Sequence, residues 1–414
     1  MNERHALVPV ARLDAAPGGW GGGRWRHLFA LFALALLTGC APARHWESAL
    51  VLADVAAGEA PSRLKAQTAA PQRQAVRYTV AGRVRTADLY TPGTGTAQAG
   101  LVLVPGAVPQ GKDDPRIVAF AHTLARARFA VLVPEIAGFR ALRIHPSDAR
   151  VVADALAWLG ERPELAPAGR VGLAAFSYGL GPALLAALEE DVRARVRFVV
   201  GVGGYHDLKR AVRYFTTGYY RVHGQWRYHA PDDYGKLVLV MSAVPYLEEA
   251  DAELLAAMAE RRIEDRAADL SDLAARLGPE GEAVYALVTN TDPEAFPQRY
   301  AALPARLRAD LAALSLHDKD LTALAAQLIL VHGRNDDLIP WTESVALAAA
   351  LPPGQARLYL LNAVLGHVDL SLSHVMNWGF ITRELPDILR LWRAVDTLLA
   401  HREDSATHWP DWDR

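Results

Sequence analysis

Six short apolar runs limit what this chain can fold into. They are 100–104, 129–134, 171–176, 196–202, 328–332 and 357–361, each with two polar residues at most. Runs this short and this apolar read as strands buried on both faces, and amphipathic helical segments stand between most of them. Helices are expected near 115–128 and 147–160, the second with Val151, Ala155 and Trp158 on one face, and others near 342–351 and 385–400. Ahead of the first run, 76–80 and 84–90 alternate as a strand pair turning at Ala81-Gly82. Strands alternating with helices predict an α/β fold: a mostly parallel sheet covered by helices on both faces.

The rhythm breaks once. About 120 residues separate the strand ending at Val202 from the one beginning at Leu328. A structureless loop of that length inside a domain is implausible, and 247–277, 281–288 and 304–325 have helical character. Residues 204–326 are therefore expected to form an inserted, mostly helical cap, with 76–203 and 327–402 as the core. Tyr205, Tyr214, Phe215, Tyr219, Tyr220, Trp226, Tyr228 and Tyr234 crowd into its first part. They either form the core of the cap or line a pocket, and Tyr205, Tyr214 and Phe215 are the candidates for substrate contact.

The chemistry begins at Val171-Gly-Leu-Ala-Ala-Phe-Ser177-Tyr-Gly-Leu-Gly181. A strand stops at Phe176, a serine follows, and a helix with Leu180, Leu184 and Leu188 on one face begins at once. Ala175 and Gly179 flank the serine at two residues' distance. This is the context of a G-x-S-x-G nucleophile elbow, with Ala175 in the place of the first glycine. Two polar loops follow strand ends later in the chain: His332-Gly-Arg-Asn-Asp336-Asp337-Leu-Ile-Pro340 and Asn362-Ala-Val-Leu-Gly366-His367. The C-terminal ends of strands are where open parallel sheets build their sites.

The order Ser177, Asp336, His367 resembles that of the α/β-hydrolases, and residues 76–400 look like such an enzyme with a cap after its sixth core strand. The resemblance implies an acyl-transfer serine hydrolase, an esterase first, with thioesterase, lactonase or peptidase chemistry as alternatives and a non-catalytic binding protein as the contrasting class. It implies Ser177 as nucleophile, His367 as base and Asp336 as its orienting acid. Asp337 is the second candidate for the acid, and Asp207 is a weaker one. His332 and His374 are rival histidines. The oxyanion donors implied are the backbone N–H groups of Tyr178 and Ala107, the latter in Pro105-Gly-Ala107, where the family often has His-Gly. No cofactor and no metal are called for, and the substrate would be a small acyl ester.

The N-terminus carries a separate signal. Arg24 and Arg26 precede ten apolar residues, 28–37, and Leu37-Thr-Gly-Cys40 ends the run with the chain's single cysteine. Ten apolar residues are too few to span a bilayer, which takes about 20. The pattern suits a signal peptide over 1–39, and its end is similar to the lipobox of bacterial lipoproteins. That resemblance implies lipidation of Cys40, anchoring in a bacterial envelope, and, with Ala41 next, the outer membrane facing the periplasm. Residues 40–75 read as a tether with one short helix, and 403–414 as an exposed tail. A formal net charge of −2 gives no electrostatic footprint for nucleic acid.

Overall fold

The computed structural model describes residues 42–169, 171–367 and 380–403. The 1–39 leader, Cys40, His374 and the tail beyond Glu403 lie outside the described residues. The chain divides into two compact units, Met1–Trp46 and Glu47–Arg414. Of the first, only 42–46 is described, the opening turn of helix Pro42–Ala57.

The second unit is built on an eight-stranded sheet. In chain order the strands are β1 (Gln72–Val80), β2 (Arg83–Thr91), β3 (Ala99–Val104), β4 (Phe129–Pro134), β5 (Val171–Phe176), β6 (Val196–Val202), β9 (Gln327–Gly333) and β10 (Ala356–Leu361), with β7 (Tyr219–Val222) and β8 (Gln225–Tyr228) in a separate hairpin. Their order across the sheet is β1-β2-β4-β3-β5-β6-β9-β10. The first two ladders, β1 on β2 and β2 on β4, are antiparallel, and the others are parallel. The turn at Ala81-Gly82 places both residues at positive φ, +47° and +77°, which fits the twist of the hairpin strands.

Side-chain alternation along the strands divides the core in two. Val102, Val104, Leu173, Ala175 and Val199 face helices Asp148–Gly160 and Leu180–Leu188 and, beyond them, the insertion. Leu101, Leu103, Val131, Ala174, Val200, Ile329 and Val331 face helices Pro115–Arg126 and Leu385–Arg402.

The insertion after β6 holds helices Leu208–Thr217, Tyr234–Ala243, Glu249–Glu264, Pro279–Val288, Phe296–Ala301 and Ala305–Leu314, together with the β7–β8 hairpin. The first helix is tied at both ends. Asp207 caps it by accepting from the backbone N–H groups of Lys209 and Arg210, and Gly218, at φ +78°, closes it in the left-handed conformation. Glu343 of the core, fully buried, fastens its base: it accepts from the backbone N–H groups of His206 (3.2 Å) and Asp207 (2.7 Å) and pairs with Arg210 (2.7 Å). The aromatic crowding is largely explained by the hairpin. Tyr219 packs on Trp226 and Tyr228, Tyr220 packs on Tyr214, and Arg213 and Arg221 lie over the Trp226 ring.

The segment read from sequence as a tether carries two helices, Pro42–Ala57 and Arg63–Gln67, and β1 already begins at Gln72. From Glu47 onward the first helix packs on the core. Leu50, Val51 and Leu64 are buried with the apolar cluster of helices 115–126 and 385–402. Asp54, with a fully buried side chain, accepts from Lys65 (2.8 Å), from Thr123 of helix 115–126 (2.6 Å) and from Ser62. Burial pushes its carboxyl up, but these hydrogen bonds outweigh that and hold it below the usual carboxylate range. Arg402 pairs with Glu47 at 2.6 Å and donates to the Ala127 carbonyl at 2.7 Å. Apolar spacing in this Ala-rich stretch is weak, and the polar groups that dock it have partners far away in the chain.

Candidate active site

Ser177 sits in a tight turn between β5 and helix Leu180–Leu188. Its φ is +53°, a left-handed value that a residue with a Cβ adopts only where its surroundings enforce it. Glycine at 179 is one of the enforcing features. A Cβ there would overlap the carbonyl oxygen of Pro105, so only glycine lets the loop after β3 close onto the turn. Gly106 is brought beside the serine as a result: a Cβ at 106 would lie 3.5 Å from that of Ser177. Ala107 comes next in the same loop and lines the space around the serine. From the insertion, Tyr234 donates to the Ala107 carbonyl at 2.8 Å and holds the loop from the other side. Burial pushes the Tyr234 hydroxyl up to about 12, so it stays a donor through the neutral range.

Asp336 and His367 meet at the ends of β9 and β10. His367 Nδ1 lies 2.7 Å from Asp336 Oδ2. Asp336 is buried and its other oxygen accepts from the backbone N–H groups of Leu338 (2.9 Å) and Ile339 (2.8 Å). Behind it, His332 Nε2 lies 3.1 Å from Oδ2 and 2.9 Å from the Ile339 carbonyl oxygen, while His332 Nδ1 pairs with Ser344 Oγ at 2.7 Å. Burial alone would push the Asp336 carboxyl up. The facing His367 and the hydrogen bonds from both histidines prevail and hold it well below the usual carboxylate range. Gly203, after β6, makes room for the pair. A Cβ there would lie 2.9 Å from the His367 carbonyl oxygen and 3.2 Å from Asp336 Oδ2, and its φ of +63° also favours glycine.

The other candidates fall into different roles. Asp337 is half-buried on the wall of the main cavity, and its backbone carbonyl accepts from the Asp232 N–H at 2.9 Å. Its carboxyl is pushed up by burial and by Asp336. Asp207 is the helix cap described above. His332 supports Asp336 from behind. Tyr214 donates to the Asp336 backbone carbonyl at 2.8 Å, and neither cavity beside the serine is lined by it. Tyr205 is buried and donates to the Leu314 carbonyl at 3.0 Å; with Phe215 it lines a small cavity next to Ser177. Sequence reasoning missed His332 as a support, Gly203, and Tyr234 as a brace. Gly203 had a legible signal, a glycine directly after a strand end. The other two are recognisable only through partners distant in the chain.

Ser177 stands where two cavities meet. The small one, about 70 Å³, lies toward the insertion, among Ile144, Tyr205, Phe215 and Leu239. The large one, about 960 Å³, also reaches His367, Gly106 and Ala107, then runs along the opposite face of the sheet. That size is at the upper end for small-molecule sites.

No family model matches the chain, and no curated protein matches it. Among solved structures, it is similar to 2,6-dihydroxy-pseudo-oxynicotine hydrolase at 13% identity, over 82% of this chain and 72% of that one, with a TM-score of 0.44. An esterase of Pyrobaculum calidifontis aligns at 14% identity, over 90% and 97%, with a TM-score of 0.43. The meta-cleavage product hydrolase of Pseudomonas fluorescens aligns at 17%, over 78% and 98%, with a TM-score of 0.40. The fold itself is defined by the strand order, the antiparallel entry into a parallel sheet, and the serine turn after β5: this is an α/β-hydrolase fold with an insertion after β6.

Proposed function

We propose that the protein is a serine hydrolase that cleaves carboxylic esters through an acyl-enzyme. The observation that carries this reading is the pair of buried Asp336 and partly buried His367, 2.7 Å apart, opening onto the same cavity as a serine held at φ +53°. Ser177 Oγ attacks the ester carbonyl while His367 takes its proton. The C–O bond to the alcohol breaks, and the imidazolium gives that proton to the leaving alkoxide. Water then repeats the sequence on the acyl-enzyme, with His367 again as base. Asp336 fixes the imidazole tautomer with Nδ1–H toward itself and stabilises the imidazolium. The backbone N–H groups of Tyr178 and Ala107 receive the oxyanion.

Covalent capture tests this reading. A fluorophosphonate is expected to add one phosphonyl group to the intact protein, on the peptide that contains Ser177. An unlabelled protein that also leaves aryl acetates intact would refute it.

We also propose that Cys40 is lipidated and holds the enzyme in a bacterial envelope, at the outer membrane facing the periplasm. The basic residues, the apolar run 28–37 and Leu37-Thr-Gly-Cys40 support this. No helix among the described residues is long and apolar enough to cross a membrane. In an expressing bacterium, labelled palmitate is expected to enter the protein and Cys40→Ser to abolish the label. Equal labelling of the variant would refute the anchor.

A further inference from the structure

We infer that the ester carries a medium- to long-chain fatty acyl group, and that this chain lies in the large cavity between helices 47–57, 115–126 and 385–402. The inference rests on the Ser177 reading and names the substrate class for it. The cavity begins at Ser177 and His367 and continues along the sheet face turned away from the insertion, past Phe176, Val202, Val200 and Val331. Helix 115–126 supplies Ile117, Phe120 and Leu124, and helix 385–402 supplies Leu391, Ala394, Val395 and Leu398. Both sets are spaced as one helical face and span eight residues, seven helical rises, so each wall is about 10 Å deep. Val51 and Val55 of the N-terminal helix close the third side.

Two features point to an apolar ligand here. Phe120, Phe176, Val202, Leu391 and Val395 pack against the core cluster on this face, yet each is only partly buried and each borders the cavity. Apolar side chains next to unfilled space forgo the contacts that packing supplies elsewhere, and an acyl chain would restore them. Among the described lining residues charge is concentrated at one end, and Asp54 is the exception. Asp114 and its partner Arg116, with Asp232, Arg266 and Asp337, stand on the Ser177 side, and in the apolar barrel the buried Asp54 is already neutralised by Lys65. An ester carbonyl at Ser177 thus places its acyl chain among apolar groups and its alcohol toward polar ones. The barrel walls are braced, since Asp54 ties helix 47–57 to Thr123 and Glu47 ties it to Arg402.

Aryl esters of rising acyl length, from acetate through butyrate and octanoate to dodecanoate, test this with the full chain. Each methylene that enters the cavity is expected to raise kcat/KM by up to about fourfold. Ala394→Trp and, from a different wall, Val55→Trp each fill the barrel. Both are expected to lower the dodecanoate-to-acetate ratio of kcat/KM at least tenfold, a ratio that cancels any loss of folded enzyme. Calorimetry of dodecanoate with the Ser177→Ala protein is expected to show binding that Ala394→Trp abolishes. A steady fall of kcat/KM beyond butyrate, with no heat of binding, would overturn the inference and leave the cavity to a segment of the chain itself. Such a result would not touch the hydrolase reading, against which acetate and fluorophosphonate left unreacted would count.

Discussion

Ser177→Ala is expected to lower kcat on an aryl ester by about 10⁵- to 10⁶-fold while KM stays within a few-fold of its original value. The size of the effect reflects what is removed. Without Oγ there is no acyl-enzyme, and His367 has no proton to take. Binding and the oxyanion donors at Tyr178 and Ala107 remain, so a residual acceleration over water of roughly 10³-fold is expected to survive. Fluorophosphonate labelling disappears in the same variant. Stability should barely change, because alanine meets the same backbone constraint as serine at φ +53°. Ser177→Gly separates the two contributions. It is equally inactive, but glycine tolerates the left-handed conformation, so it is expected to melt at a higher temperature than Ser177→Ala. Kinetics and melting curves on the three proteins check this together. A drop of only tenfold in kcat would make Ser177 a bystander and sink the proposed mechanism.

The sheet was legible because its signal is local. Runs such as Leu101–Val104 and Val171–Phe176 are buried on both faces, so composition alone marks them as strands. Ser177 was legible for a related reason: the strand ends, the small neighbours and the helix start all lie within a dozen residues. Asp336 and His367 are marked by position, at the ends of strands whose order the fold dictates. The spacing to Pro340 favours Asp336 over Asp337, and the 2.7 Å contact with His367 gives that choice its geometric support. The features that escaped are relational. Tyr234 matters through Ala107, His332 through Asp336, and Gly203 through the space that Asp336 and His367 need. The large cavity escaped for a deeper reason. It is defined by what the side chains leave unfilled, and a sequence records only what is present. The aromatic cluster of the insertion is far more conspicuous in the sequence, yet Trp226 and its neighbours mostly pack on one another.

Asp336→Asn is expected to cost about 10⁴-fold in kcat, with the structure nearly unchanged. In the wild type, one carboxylate oxygen accepts from the Leu338 and Ile339 N–H groups, and the other faces His367 Nδ1 and His332 Nε2. Asparagine retains only one acceptor. If its oxygen stays on the backbone N–H groups, its NH₂ is turned toward His367 Nδ1, and two donors cannot face each other. The imidazole then carries its proton on Nε2, on the side that must accept from Ser177, and the base is lost. If the amide flips instead, the buried Ile339 N–H and the partly buried Leu338 N–H lose their acceptor, the former at a cost of about 1–3 kcal/mol, and the loop 336–340 loosens. Either outcome disables the site, and thermal melting tells them apart. Asp337→Asn is the control. Its carboxyl borders the cavity without this pairing, so a change of less than about tenfold is expected. Acid conditions do not mimic Asp336→Asn in the wild type, since the Asp336 carboxyl is held well below the usual range and stays ionised down to strongly acid pH. The lowered value adds stability above the ordinary aspartate range, and that stability is lost as pH falls through the folded-state value. The kinetic cost of Asp336→Asn should therefore appear across the whole neutral range. A variant whose activity returned at neutral pH would show that the carboxylate does not set the tautomer of His367.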